Sequence, residues 1–185
     1  MPLSRKAVQM TAGLPPIGAE IPCSRLAVNV PIQIEGTLLS VDFRGGIKHR
    51  VDVNPDNPME SVRLRTVGHR MSAELPDGDE TGGTLTIEQN DVDVDSPSTL
   101  TLTRKFPPMY ELREVTSFTL TVERGEGEPL VLVTKEPMVL LAQLTQFPPR
   151  GDLYRLEKPV ELVLPDDPAK VMAVIEKFPV KVGGL

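Results

Sequence analysis

The two histidines of the chain, His49 and His69, are the residues best suited to acid–base chemistry. Each lies in a segment where apolar and polar residues alternate, which is the pattern of a half-buried β-strand. His49 shares the apolar face of its segment with Ile47 and Val51, and His69 shares that of its own segment with Met71. We therefore predict that both imidazoles point inward, where they could act as an acid–base couple. The alternative is that each is a hydrogen-bonded core histidine, because neither lies in a catalytic motif or among further metal ligands.

Two tyrosines and two arginines are candidate ligand-binding residues. Tyr110 and Tyr154 each follow a Pro-Pro pair, and each has an arginine nearby, Arg113 and Arg155 respectively. A phenol beside a guanidinium could bind an anionic or carbonyl group. The alternative is structural, since a tyrosine at the edge of a core commonly sends its hydroxyl to a backbone group.

Asp91, Asp93 and Asp95 would place three carboxylates on one face of a strand, and such oxygen-rich groups can bind Ca²⁺. The run is not an EF-hand loop, because Ser96 and Leu102 stand where that loop needs Gly and Glu. Whether the three aspartates bind a cation is left open. We expect them to be exposed and metal-free, as charges that keep a strand edge soluble.

No sequence motif identifies an enzyme class. The chain has one cysteine and no nucleotide-binding, serine-hydrolase or metalloprotease motif, so we expect no cofactor and no metal site. The net charge of −6 disfavours nucleic acid, which needs a basic surface. No apolar run approaches the roughly 20 residues of a membrane helix. We expect a bacterial, cytoplasmic protein whose partner is an apolar small molecule or another protein, and homo-oligomer formation is left open.

A repeated phrase gives the clearest indication of the fold. The segment 102–108 (LTRKFPP) recurs as 144–149 (LTQFPP), with a divergent forerunner at 10–16 and a decayed copy at 177–179. Because proline has no N–H for a sheet and fixes φ, the phrase predicts a strand, a Pro-Pro corner and a further strand. We predict that the apolar residue before each Pro-Pro pair is a buried plug at a strand end: Leu14, Phe106 and Phe147.

Period-two alternation predicts about ten strands. The predicted strands are 25–34, 37–43, 46–53, 61–67, 69–75, 83–90, 98–104, 114–123, 129–134, 138–145 and 159–164. Arg44-Gly45-Gly46 is predicted to be a hairpin turn between two of them. Residues 168–177 are predicted to form a short helix, with Asp167 as its N-cap. The alternative for that segment is a strand whose inner face holds Val171, Ala173 and Ile175.

The predicted fold is therefore all-β: an antiparallel β-sandwich or a closed β-barrel of about ten strands, with Pro-Pro corners and one short C-terminal helix. We predict one domain over 1–185, with pseudo-repeats around 8–30, 100–122 and 142–164. The first functional interpretation is a non-catalytic β-scaffold that acts as a binding or assembly module. The alternative is a small β-barrel that binds an apolar small molecule and could catalyse its cyclisation or isomerisation. Whether the protein is an enzyme is left open.

Overall fold

The computed structural model describes residues 13–76, 82–90, 98–125 and 127–185, and these form an all-β structure without a helix. Every pairing between the described strands is antiparallel. The thirteen strands are β1 (Glu20–Ile34), β2 (Thr37–Val53), β3 (Ser61–Glu74), β4 (Thr84–Gln89), β5 (Ser98–Lys105), β6 (Pro108–Thr116), β7 (Phe118–Glu123), β8 (Leu130–Thr134), β9 (Met138–Leu144), β10 (Arg150–Leu156), β11 (Val160–Leu164), β12 (Asp167–Ile175) and β13 (Val180–Gly184).

The three long strands β1, β2 and β3 belong to two closed rings of paired strands. One ring continues from β3 through β4, β7, β8, β11 and β12 and returns to β1, which makes eight strands. The other continues from β3 through β5, β6, β9, β10 and β13 back to β1, again eight strands. We call the first the apolar ring and the second the polar ring, after their interiors. Ring closure gives each a barrel-like form, in which successive side chains alternate between the inside and the outside.

The shared strands turn different sets of alternating residues inward in the two rings. In β1 the buried face holds Cys23, Arg25 and Ala27 in the polar ring, but Val30 and Ile32 toward the apolar ring. The register of β1 and β2 shifts between Ala27 and Val30. A bulge of this kind inserts an extra residue and so reverses the parity of everything beyond it.

Arg44-Gly45-Gly46 is not a hairpin, and that prediction is wrong. The segment lies in the middle of β2, with β1 on one side and β3 on the other. A Cβ on Gly45 would lie only 1.9 Å from the carbonyl oxygen of Arg70 and 2.7 Å from Cα of Met71. Glycine is therefore needed here because the backbone of β3 passes too close for any side chain.

We expect Gly45→Ala to lower the unfolding free energy by about 1–3 kcal/mol, because the added methyl meets backbone atoms that cannot rotate away. Gly68→Ala is the matched control on β3, since its Cβ would meet only Cβ of Lys48 at 4.0 Å. Urea denaturation of both variants checks this. Equal midpoints for Gly45→Ala and Gly68→Ala would contradict the close approach.

The C-terminal helix prediction is also wrong, and the alternative strand is found. Residues 167–175 form β12, in which Ala173 and Ile175 are buried while Val171 is 38% exposed. β12 pairs with both β1 and β11, so it closes the apolar ring. Ring closure thus overrides a local spacing that suits a helix and a strand alike.

Other differences concern strand bounds. The predicted strands 61–67 and 69–75 are one strand, β3, and the segment 114–123 is divided between β6 and β7. β10 and β13 lie in segments for which no strand was predicted.

The two full Pro-Pro pairs do lie where consecutive strands join: Pro148 and Pro149 fall between β9 and β10, while Pro107 precedes β6 and Pro108 is its first residue. The Phe106–Pro107 and Phe147–Pro148 peptide bonds are both cis. The plug prediction is wrong for Phe106, whose side chain is 91% exposed. Leu14 is buried and Phe147 is half-buried against the core. Phe178, which precedes Pro179 in the decayed copy of the phrase, does have a buried aromatic ring.

Candidate functional site

The interiors of the two rings differ in chemistry. The buried core side chains that β4, β7, β8 and β11 contribute to the apolar ring are Leu85, Ile87, Phe118, Leu120, Val122, Leu132, Val160 and Leu162. The polar ring buries an arginine, a glutamate and two histidines: Arg25, Glu114, His49 and His69. We call these four residues the polar cluster. Buried and exposed residues alternate along each of their strands, and each of the four occupies a buried position of that pattern.

An ion pair spans the inside of the polar ring. Nη2 of Arg25 on β1 lies 2.6 Å from Oε2 of Glu114 on β6, and both side chains are 0% exposed. β1 and β6 are four strands apart in either direction around the ring. The pair therefore joins opposite walls of the ring. Each of the two charges needs the other close by, because an isolated buried charge is very costly.

The two histidines lie on the adjacent strands β2 and β3. Nε2 of His49 is 3.3 Å from Oε1 of Glu114, and Nε2 of His69 is 3.3 Å from Nη1 of Arg25. The register of β2 and β3 shifts at His49, which pairs with Thr66 while His69 pairs with Ile47. The bulge thus lets residues 66 and 69, three apart on β3, pair with positions two apart on β2.

The partners of the histidines assign different tautomers to their neutral forms. A guanidinium can only donate, so Nε2 of His69 must accept and its proton must be on Nδ1. A carboxylate can only accept, so the proton of His49 is assigned to Nε2, which faces Glu114. His49 is left with a lone pair on Nδ1, whereas His69 is left with an N–H at the same ring position.

Several polar atoms of the site have no hydrogen-bond partner among the described residues. They are Nε of Arg25, Nδ1 of His49, Nδ1 of His69 and Oε1 of Glu114. The 3.3 Å contact between His49 and Glu114 is close in distance but lacks hydrogen-bond alignment. Buried polar atoms nearly always have partners. The cluster therefore has donors and acceptors available for a bound molecule or water.

The charges of the cluster are fixed by its own contacts. Burial would raise the pKa of Glu114, but the charge of Arg25 and the contact of His49 outweigh it and lower that pKa to about 2. Burial, reinforced by the charge of Arg25, lowers the pKa of His69 to about 3. At neutral pH Glu114 is thus ionised opposite the guanidinium of Arg25, and His69 is uncharged.

Tyr154 and Cys23 complete the surroundings of Arg25. The guanidinium carbon lies 5.9 Å from the centroid of the buried Tyr154 ring, within the range of a cation–π contact. Burial raises the pKa of the Tyr154 hydroxyl well above its ordinary value. Burial also raises the pKa of the Cys23 thiol to about 11, although Arg25 opposes the rise. The thiol stays protonated at neutral pH and is a poor nucleophile.

The structure brings together three of the six residues predicted from the sequence, namely His49, His69 and Tyr154. The hydroxyl of Tyr110 donates to the carbonyl oxygen of Gly13, which is the structural role left open above. Nη1 of Arg113 lies 3.3 Å from Oε1 of Glu157 near the surface. Arg155 lines an outer cleft of about 450 Å³. Neither arginine belongs to the polar cluster.

Further predictions concern cations and membranes. Asp91, Asp93 and Asp95 lie outside the described residues, so their cation binding stays untested. Across the described ranges, no three His, Cys, Asp or Glu side chains are grouped as a metal site would require. The described segments contain no helix that could span a bilayer.

Fold and site together define a class: an all-β protein of two barrel-like rings, one of which encloses an ionised cluster. The sequence matches no protein-family model and no curated protein. Its structure is similar to that of DynF from the dynemicin biosynthesis pathway of Micromonospora chersina, with a TM-score of 0.67. Sequence identity is 17%, and the match covers 94% of this chain and 86% of that chain. At this identity the likeness shows a shared fold.

Proposed function

We propose that the protein binds a largely apolar small molecule inside the polar ring and moves a proton on it, in an isomerisation or cyclisation. The observation that supports this is the buried cluster of Arg25, Glu114, His49 and His69 with its unpartnered polar atoms. Most other buried side chains of the polar ring are apolar, among them Leu100, Leu112, Leu140 and Val180. An apolar enclosure with a few convergent polar groups is the usual form of a small-molecule site.

The apolar ring is an internal reference for this proposal. Its eight strands close around side chains that are apolar where β4, β7, β8 and β11 face inward. Closure of such a ring therefore does not require buried charges. Buried ion pairs generally add little stability compared with well-packed apolar residues. A role in binding or chemistry explains why the polar ring retains them.

The structural likeness favours the same interpretation. DynF is described as part of a biosynthesis pathway, and such pathways act on small molecules. A non-catalytic scaffold or assembly module, our first interpretation from the sequence, gives no reason for two histidines with complementary tautomers in a buried site. A protein partner and homo-oligomer formation stay predictions.

A thermal-shift screen of uncharged, largely apolar small molecules tests the proposal. We expect some compounds to raise the melting temperature of the wild type, because a ligand at 100 times its Kd adds about 2.7 kcal/mol of stability. The matched control is Arg25→Met/Glu114→Leu, which fills the same space with apolar atoms and should lose the response. The absence of any shift, or equal shifts in both proteins, would contradict binding at the cluster.

A further inference from the structure

The polar cluster is sealed from solvent, so a ligand needs a route that opens to reach it: the side chains of Arg25 and Glu114 are both 0% exposed. We propose that residues 13–19 form a lid over one end of the polar ring, that the hydroxyl of Tyr110 is the latch of this lid, and that the apolar ligand enters when the lid opens. The role in ligand entry rests on the proposed function, whereas the lid can be tested without any ligand.

The lid crosses the end of the polar ring at which the chain enters β1. On one side, the N–H of Gly18 donates to the carbonyl oxygen of Val51 at 2.8 Å. On the other side, the hydroxyl of Tyr110 donates to the carbonyl oxygen of Gly13. Val51 belongs to β2 and Tyr110 to β6, and these strands are three apart in a ring of eight. Because opposite walls of such a ring are four strands apart, the lid spans nearly the full width of the opening.

The β2 side of the lid is its anchored side. The N–H of Val51 donates to the carbonyl oxygen of Ala19 at 2.9 Å, and the chain continues from there directly into β1. Gly18 supplies a pivot next to this anchor. Its φ is +89°, and a Cβ built on it would have no atom within 4 Å. Glycine adopts such a conformation without strain and has room to leave it.

The β6 side of the lid is held by little. Leu14 is the one residue of the lid that is buried. In the part of the chain that the structure describes, the bond from Tyr110 to Gly13 is the one hydrogen bond that joins residues 13–17 to the ring. Few buried contacts and few backbone hydrogen bonds are the properties of segments that open locally while the rest of the protein stays folded.

Exposed apolar side chains border the opening that the lid covers. Val53 ends β2, Met59 comes shortly before β3, and Phe106 lies between β5 and β6. These strand ends lie at the same end of the ring, because the neighbouring strands are antiparallel. With Ile17 of the lid, these side chains are between 48% and 91% exposed. Exposed apolar groups that occur together mark places where apolar molecules bind, which favours this end of the ring as the entrance.

The single cysteine of the chain lies between the lid and the cluster. From the lid inward, the buried positions of β1 are Ile21, Cys23 and Arg25. Cys23 is only 2% exposed, and burial raises the pKa of its thiol to about 11, so the closed ring protects it from thiol reagents. A molecule that passes the lid on its way to Arg25 passes Cys23. The labelling rate of Cys23 therefore reports how often the lid is open.

The lid is tested by the rate at which dithiodipyridine, a small uncharged disulfide, labels Cys23 at about pH 8. Tyr110→Phe removes the latch hydroxyl and keeps the ring, so we expect labelling about 3–10-fold faster, as for the loss of one hydrogen bond. Leu14→Ala removes the buried side chain of the lid and should accelerate labelling at least about 10-fold. Thr103→Val is the matched control. It removes a hydroxyl that donates to the carbonyl oxygen of Met109 at 3.1 Å, outside the latch, and should label like the wild type.

The dependence on urea separates lid opening from global unfolding. Opening of a short segment exposes little surface, so the labelling rate of Tyr110→Phe should change little at low urea concentrations. Labelling through global unfolding would instead rise with the full urea slope of the unfolding equilibrium. Equal rates in Tyr110→Phe and Thr103→Val, or the full urea slope in Tyr110→Phe, would overturn the lid.

Ligand entry is tested with the compounds that the thermal-shift screen identifies. Tyr110→Phe should raise their association rate in stopped-flow measurements by about the same factor as the labelling rate, and an unchanged association rate would overturn entry through the lid. If Tyr110→Phe labels faster but no compound shifts the melting temperature, the lid stands and the proposed function fails, and with it the role of the lid in ligand entry. If compounds bind but Tyr110→Phe labels like Thr103→Val, the lid fails and the proposed function stands.

Discussion

Glu114→Leu is expected to lower the unfolding free energy by about 3–5 kcal/mol, because it leaves the guanidinium of Arg25 buried without its counter-ion. Both side chains are fully buried, so water cannot replace the lost carboxylate. His69, the other close partner of Arg25, is uncharged at neutral pH and cannot compensate. Urea denaturation at neutral pH measures the loss.

Two controls separate this effect from the loss of packing or of any salt bridge. Arg25→Met/Glu114→Leu removes both charges and should recover most of the stability, since apolar replacement of a buried pair is often neutral or stabilising. Glu157→Leu breaks the partly exposed pair with Arg113 and should cost less than about 1 kcal/mol. If the double variant were as unstable as Glu114→Leu, the buried charge would not be the cause.

Recovery in the double variant would also bear on function. A cluster that can be replaced by apolar residues without loss of stability is not retained for folding. The apolar ring of the same chain already suggests this, since its wall strands close without inward charges. Stability and ligand binding should therefore separate in that variant, with folding intact and the thermal-shift response lost.

The sequence predicted the all-β class and the inward direction of both histidines. Each histidine lies in a strand whose buried residues alternate without interruption on one side of it, so parity was sufficient. Parity failed at Arg25. The apolar run Leu26, Val28 and Val30 suggests a buried face that excludes it, whereas the bulge after Ala27 reverses the parity and buries Arg25.

Glu114 was missed for a related reason. It stood first in a predicted strand of 114–123, where a charged residue suggests a solvent-exposed end. In the structure it lies near the end of β6, two positions beyond the buried Leu112. The alternation of Tyr110, Leu112 and Glu114 is present in the sequence and could have indicated an inward carboxylate.

The two rings could not be derived from local patterns. Their closure depends on β1, β2 and β3 being long enough to serve both, and the glycine pair in β2 resembles a hairpin turn. Only the contact of Gly45 with the backbone of β3 shows why glycine is needed in mid-strand. Such a contact joins residues of two strands and leaves no trace in the sequence around either one.

The stability of the protein is expected to fall steeply as the pH drops below about 6.5, and His69 should be the principal single cause. The groups that face its ring are Arg25, Glu114 and His49, and burial is the main reason that its folded-state pKa is lowered to about 3. The unfolded chain binds a proton at this histidine near its ordinary pKa of roughly 6.5, while the folded protein does not. Stability from His69 is therefore fully present above that pH and is lost as the pH falls toward 3. The loss approaches about 1.4 kcal/mol per pH unit and totals on the order of 5 kcal/mol.

Denaturation midpoints between about pH 5 and pH 7 test this before most carboxylates titrate, given their ordinary pKa values of roughly 4. Glu114 acts in the same direction at lower pH, because its pKa is lowered to about 2 and its contribution disappears below the ordinary range. The glutamine of His69→Gln can still accept a hydrogen bond from Arg25 but cannot bind a proton. The unfolding free energy of this variant should therefore change less with pH than that of the wild type, by at most the slope that one titrating proton contributes. Lys48→Gln, on the exposed face of β2, should keep the wild-type slope. Parallel pH profiles for the wild type and His69→Gln would show that the imidazole titrates alike in the folded and unfolded states, which would contradict the lowered pKa of the buried His69.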